Sequence, residues 1–261
     1  MPIADVNNDF HTLPSSVKQR LLADNTTHRN IIDTSFCESQ SDIVLVPRFM
    51  RNETNNRERT KNKAEVFTPT RIVKQMLDNI DEAGDTLKVE FGAYICSRWL
   101  EITCGEGAFL CTRYNPKNGE MIPIRDRQGI LDRKLHAVSK QINQNGAWIQ
   151  YALQVCRSTY GYEYQGDSLL MARVNALYTF MEYYQNKFNS CLPVQYQCDL
   201  AEIIAWNIWQ MDGLTKCIPQ ANVIKDRHGE YVAIEGTPAT IMDWNNREPV
   251  SFMECESWQQ R

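Results

Sequence analysis

Apolar residues along this chain recur with two periods, and segments of one kind alternate with segments of the other. Spacings of three and four put Val17, Leu21 and Leu22 on one face of a helix over 15–23, and Ile72, Val73, Met76, Leu77 and Ile80 on one face of a second. Thr68-Pro69 opens the second helix, because threonine can cap free amides and proline is tolerated at the first helical position. Short apolar or alternating runs predict strands over 99–103, 160–164 and 207–211, with two more over 231–235 and 250–253. Gly105 and Gly107 predict a turn from the first of these into a helix beginning near Ala108. Further helices are expected over 130–144, 148–156 and 200–205. A long one follows Asp167, whose stripe of Leu170, Val174, Leu177, Met181, Tyr184 and Phe188 reads as core. The run over 43–46 before Pro47 is a strand or an anchoring arm. Such alternation favours a parallel α/β sheet with right-handed crossovers.

Two stretches break the pattern. Residues 48–63 carry six basic residues against two acids and read as an exposed, mobile linker. Its arginines, Arg48, Arg51, Arg57 and Arg59, form the best candidate patch for nucleic-acid phosphates, with a merely solvated charge run as the plainer alternative. Residues 114–128, rich in Asn, Pro, Gly and charge, read as a hairpin or insertion. The chain thus divides into an N-terminal extension with a basic linker over 1–63 and a folded domain over 64–261.

Composition narrows the function classes. With 261 residues and 43% hydrophobic content the chain can bury a core without disulfides. A net charge of −4 excludes the chain as a whole as an electrostatic nucleic-acid binder, so DNA contact falls to a local patch or a partner. The nine cysteines contain no Cys-x-x-Cys pair and the four histidines complete no zinc spacing. Buried reduced thiols and no metal are expected. A basic, apolar leader and a run of about 18 apolar residues are both absent, which predicts a cytoplasmic protein and no membrane partner.

The candidate chemistry sits at the ends of the three central strands. A glycine at 105 or 107 lets a ligand approach the backbone, although the dinucleotide pattern is incomplete after Gly107 and a phosphate-loop lysine is missing. Glu101, Glu163 and Asp212 each stand at a strand end, on the carboxyl edge where doubly wound sheets bind ligands. Glu163 could accept from ribose hydroxyls, Asp212 from an adenine amino group, and Glu101 could face a cationic amino-acid moiety. Each could equally cap a helix or a solvated strand end.

The segment from Glu65 through Val66-Phe67-Thr68-Pro69, followed by Trp99-Leu100-Glu101-Ile102-Thr103-Cys104-Gly105-Glu106-Gly107-Ala108-Phe109-Leu110, resembles the start of N6-adenine DNA methyltransferases of restriction-modification systems. The resemblance continues through residues 131–135, 160–167 and 207–214, as in the M subunits of such systems. It implies a Rossmann-like class I methyltransferase sheet with helices on both faces and S-adenosylmethionine as cofactor. It places Phe67, Thr68 and Pro69 around the methionine end, Glu101, Gly105 and Gly107 at the cofactor, Phe109 beside it, Glu163 at the ribose and Asp212 at the adenine.

Two departures shape the expected function. Glu163 lies far beyond the usual spacing of about 20 residues from the glycine turn, so residues 114–145 are expected to loop out of the basic fold. Members of the family that methylate adenine carry Asp or Asn, then Pro-Pro and an aromatic residue, to hold a flipped base. No Pro-Pro pair occurs here; Asn115-Pro116 is misplaced, and Asp243-Trp244-Asn245-Asn246 lacks the proline-fixed geometry. The expectation is therefore a cofactor-binding component that acts on DNA with a second subunit supplying the catalytic loop and target recognition. A non-catalytic S-adenosylmethionine-binding protein for regulation or assembly is the alternative.

Overall fold

The computed structural model describes residues 2–23, 43–63, 68–83, 89–219, 223–225, 231–233 and 236–255. Two short helices, α1 (Val6–Thr12) and α2 (Ser15–Leu21), lead into α3 (Glu53–Lys63), α4 (Thr70–Ala83) and α5 (Phe91–Cys96). A three-stranded sheet comes next, β1 (Trp99–Glu101), β2 (Thr159–Glu163) and β3 (Ile208–Gln210). Helices α6 (Ile130–Gln141) and α7 (Asn145–Arg157) join β1 to β2, and α8 (Gly166–Phe188) and α9 (Val194–Asn207) join β2 to β3. The C-terminal part holds two antiparallel pairs, β4 (Val223–Lys225) with β5 (Tyr231–Ala233), and β6 (Thr240–Asp243) with β7 (Glu248–Ser251).

The central sheet is parallel throughout, in the order β1-β2-β3, with Glu101 opposite Gly161 and Glu163 opposite Gln210. Both crossovers advance the same way, so crossovers of one hand fall on one face. Side-chain alternation agrees with that arrangement. Ile208 belongs to the main core with α6, α7, α8 and α9, whereas Tyr160, Trp209 and Met211 join a smaller cluster with Ile218, Ala239 and Ile241. The second face is thus covered by the β6–β7 hairpin and its approach, and the expectation of helices on both faces does not hold for the described residues.

Three other expectations meet different outcomes. Residues 114–128 do form a hairpin, with Tyr114 bridged to Met121, but α6 does not loop out: Leu131, Leu135 and Val138 lie in the main core. The 43–47 segment is an arm, extended and outside any ladder, with Ile43 and Leu45 buried and Leu45 N–H held by Asn7 Oδ1 at 2.9 Å. Of the eight described cysteines, all unpaired, only Cys104, Cys111 and Cys156 are buried. Among the described residues no helix is long and apolar enough to cross a membrane.

Charged groups brace this core. Fully buried Arg113 reaches Glu182, Asp9 and Asn175. Lys134 donates to Ser97 O at 2.6 Å and Ser158 Oγ at 2.8 Å, tying α6 to the entries of β1 and β2, and burial pulls its amine down to about 7.

Candidate functional site

The chain leaves β1 through a left-handed turn. Thr103, Gly105 and Gly107 all have positive φ, at 53°, 56° and 88°. Cys104 N–H still bonds Tyr162 O at 2.8 Å, so the turn stays pinned to β2, and Gly161 makes room for it: a Cβ there would stand 3.3 Å from Cys104 Cβ and Leu110 Cδ1.

The helix expected near Ala108 does not form. Only one helical-type bond succeeds the glycines, Cys111 N–H to Gly107 O at 2.8 Å. The carbonyls of Phe109 and Leu110 are instead taken by Ile130 N–H and Leu131 N–H, the first amides of α6, each at 2.8 Å. That docking requires glycine at 129, where a Cβ would approach Cys111 Cα to 2.5 Å.

Beside the turn lies a cavity of 350 Å³, within the range of small-molecule sites. Thr68, Glu101, Gly105 and Phe109 line it together with Trp99, and Met76 and Ile80 of α4 close one side. Four of the residues singled out from sequence therefore meet in one place. Glu101 is its chemical centre. Apolar surroundings push its carboxyl up to about 7, and among the described residues it has no hydrogen-bond or ion-pair partner.

The remaining candidates take other roles. Pro69 accepts the first amides of α4, from Ile72 at 2.8 Å and Val73 at 3.1 Å, and Phe67 lies outside the described residues. Glu163 is buried and holds backbone: Gly105 N–H donates to Oε2 at 2.8 Å, and Tyr164 and Gln165 N–H donate to Oε1 at 2.9 and 3.0 Å. It clamps the glycine turn to the end of β2. Asp212 is outside the cavity lining; its Oδ1 accepts from Leu214 N–H at 2.8 Å and caps the turn after β3.

Gly107 also differs from expectation. A Cβ there would meet Ala172 of α8 at an ordinary contact distance, 3.4 Å from its Cα, so the position faces the helix and not the cavity, and its left-handed φ is what favours glycine. Gly105 is the one facing open space. Gly107→Val should therefore lower stability by roughly 2 kcal/mol or more through left-handed strain and crowding against α8. Gly105→Ala should cost only about 1–2 kcal/mol. Urea unfolding of the two variants distinguishes them, and equal midpoints would contradict this division of roles.

The basic segment is largely exposed, as expected, but it is helical rather than a linker. Residues 48–50 form one 3-10 turn, with α3 directly after it. Arg51 is almost wholly buried, its guanidinium 3.8 Å from Glu106 and 3.6 Å from Asp167, and Arg59 meets Asp167 at 2.9 Å. Arg57 remains exposed beside Glu53, and Arg48 N–H bonds Glu106 Oε1 at 2.8 Å. Glu106 went unassigned in the sequence because its partners lie about fifty residues upstream.

The stretch 243–246, at the end of β6, is likewise committed. Asp243 accepts from Asn245 N–H and Asn246 Nδ2, both at 2.9 Å, and Trp244 Nε1 donates to Asn207 Oδ1 at 2.7 Å.

Comparison with known family models, curated proteins and solved structures gives no match to this chain.

Proposed function

We propose that the chain is the S-adenosylmethionine-binding component of a DNA adenine-N6 methyltransferase of a restriction-modification system, acting in the cytoplasm. The observation that carries the reading is Glu101, a carboxylate without a partner among the described residues, in an aromatic and aliphatic cavity beside a glycine turn. Such a group favours a cation with an apolar body. S-adenosylmethionine is a net cation, with an ammonium, a sulfonium and one carboxylate on an uncharged nucleoside.

The parallel order β1-β2-β3, with the acids at its carboxyl edge, supports one half of a Rossmann-like doubly wound sheet. In this reading Glu101 receives the amino-acid end, Gly105 admits the ligand to the backbone, and Thr68 and Phe109 wall the cavity. Glu163, to which the resemblance gives the ribose, would act on the ligand through Gly105, whose N–H it holds. The cofactor supplies an activated methyl group; the chain's residues bind and orient it.

The target adenine requires acceptors for its amino group and a stacking ring, and the stretch 243–246 does not offer them freely. Asp243 and Trp244 are engaged in their own turn and with α9. A second polypeptide is therefore proposed to bring the catalytic loop and most of the DNA contact. The same engagement favours, as a second reading, a chain that binds the cofactor for regulation or assembly without transferring its methyl group.

Calorimetric titration of the full chain with S-adenosylmethionine is expected to give one saturable site, and adenosine, lacking the cation, a much weaker one. No heat from S-adenosylmethionine up to millimolar concentration would overturn both readings. Methyl transfer to adenine-containing DNA by the chain alone would overturn the need for a partner. Binding without transfer in the presence of the neighbouring subunit would select the second reading.

A further inference from the structure

Helix α3 reads Glu-Thr-Asn-Asn-Arg-Glu-Arg-Thr-Lys-Asn-Lys, without one apolar residue to bury. A helix polar all round needs something other than hydrophobic packing to hold it. Here arginines supply it from both ends of the segment. Arg51, just before the helix, and Arg59, two turns into it, converge on Asp167 at 3.6 and 2.9 Å. Arg51 also reaches Glu106 at 3.8 Å, and Asn56 Nδ2 bonds the carbonyls of Arg48 and Arg51 at 3.3 Å.

The two acids sit on the glycine turn, whose Gly105 and Ala108 line the cavity, and on the head of α8 behind it. Glu106 lies inside the glycine turn, and its carboxylate also accepts from Tyr114 OH at 3.2 Å. Asp167 opens α8, a few residues after Glu163, which holds Gly105 N–H. A single side chain, Arg51, therefore spans the turn and the head of α8, while Arg59 secures the helix that carries it.

We infer that Arg51 and Arg59 are positioning residues: they clasp α3 across the glycine turn and the start of α8, and hold in place the turn that lines one side of the cavity. The clasp is electrostatic and part-buried, so salt weakens it, though less than it would a fully exposed pair. The segment that looked like a phosphate-binding patch then serves this chain's own acids. The clasp stands without the cofactor reading; its effect on ligand affinity rests on that reading.

Hydrogen–deuterium exchange of the ligand-free full chain tests the clasp directly. In Asp167→Asn, amides of α3 and of residues 104–108 are expected to exchange at least tenfold faster, with α8 beyond its first turn and α9 unchanged. Raising salt to 1 M should move wild type part of the way. Asp167→Glu, which keeps the charge facing both arginines, should retain slow exchange, which separates loss of the charge from loss of the fold. Unchanged protection of α3 in Asp167→Asn overturns the clasp. Faster exchange in α3 with residues 104–108 unaffected overturns its positioning role. If wild type fails to bind S-adenosylmethionine, the cofactor reading falls while these outcomes keep their meaning.

Discussion

Arg173→Met is expected to lower the thermal unfolding midpoint by about 10 °C, corresponding to a loss of roughly 4 kcal/mol for a chain of this size. Arg173 is fully buried in α8. Its Nε donates to Ile208 O at 2.7 Å, one terminal nitrogen to Leu21 O at 2.6 Å and Ala23 O at 2.8 Å, and the other to Ala205 O at 3.0 Å. These carbonyls belong to the end of α2, the end of α9 and strand β3. Helix-terminal carbonyls lack intrahelical donors and carry the negative end of the helix dipole. Methionine fills similar space but satisfies none of them, and each buried unsatisfied carbonyl costs about 1–3 kcal/mol. Arg173→Lys should recover part of the loss, because one ammonium cannot fork to carbonyls on three elements. A midpoint within 2 °C of wild type for the methionine variant would mean that α2 and α9 do not depend on this side chain.

That role illustrates what the sequence could and could not tell. The stripe of α8 was legible because burial repeats every three or four residues, and Leu170, Val174 and Leu177 are all fully buried. Arg173 interrupts no stripe and carries no local signal; its partners come from positions up to 152 residues away. The same holds for the basic segment. Composition alone reads Arg51 and Arg59 as solvated, and only the fold brings Asp167 and Glu106 to them. The strands of the central sheet were legible from alternation and β-propensity, within a residue or two of their ends.

The glycine turn was legible as a break, but the conformation of residues 108–112 was not. A helix was expected there from a strand–turn–helix pattern, yet the carbonyls at Phe109 and Leu110 that would continue such a helix are consumed by α6, a contact across twenty residues. Within the site, Glu101 was legible as an acid at a strand end. Its lack of a partner among the described residues was not, because that depends on which neighbours the fold withholds. Glu163 ends β2 and Asp212 lies two residues beyond β3, and both bind backbone amides.

Glu101→Gln is expected to weaken S-adenosylmethionine binding about 30-fold, corresponding to about 2 kcal/mol for a lost charge-assisted contact. The ligand-free variant should be no less stable than wild type. The sign comes from linkage. Burial raises the Glu101 carboxyl from 4.5 to about 7, so between those values the folded state binds more protons than the unfolded one. Glu101 then makes folding less favourable as pH rises from about 4.5 through about 7, and the amide, which does not ionise, removes that slope. The difference in stability between Glu101→Gln and wild type should grow in favour of the variant across this interval and level off above it. A bound cation reverses the preference, holding the carboxylate charged, so wild-type affinity should rise with pH up to about 7 and binding below it should release a proton. Calorimetry at pH 6 in buffers of different ionisation enthalpy measures that proton. No proton release, or a pH-independent wild-type affinity from 5 to 8, would remove Glu101 from the ligand's cationic end and with it the main support for the cofactor assignment.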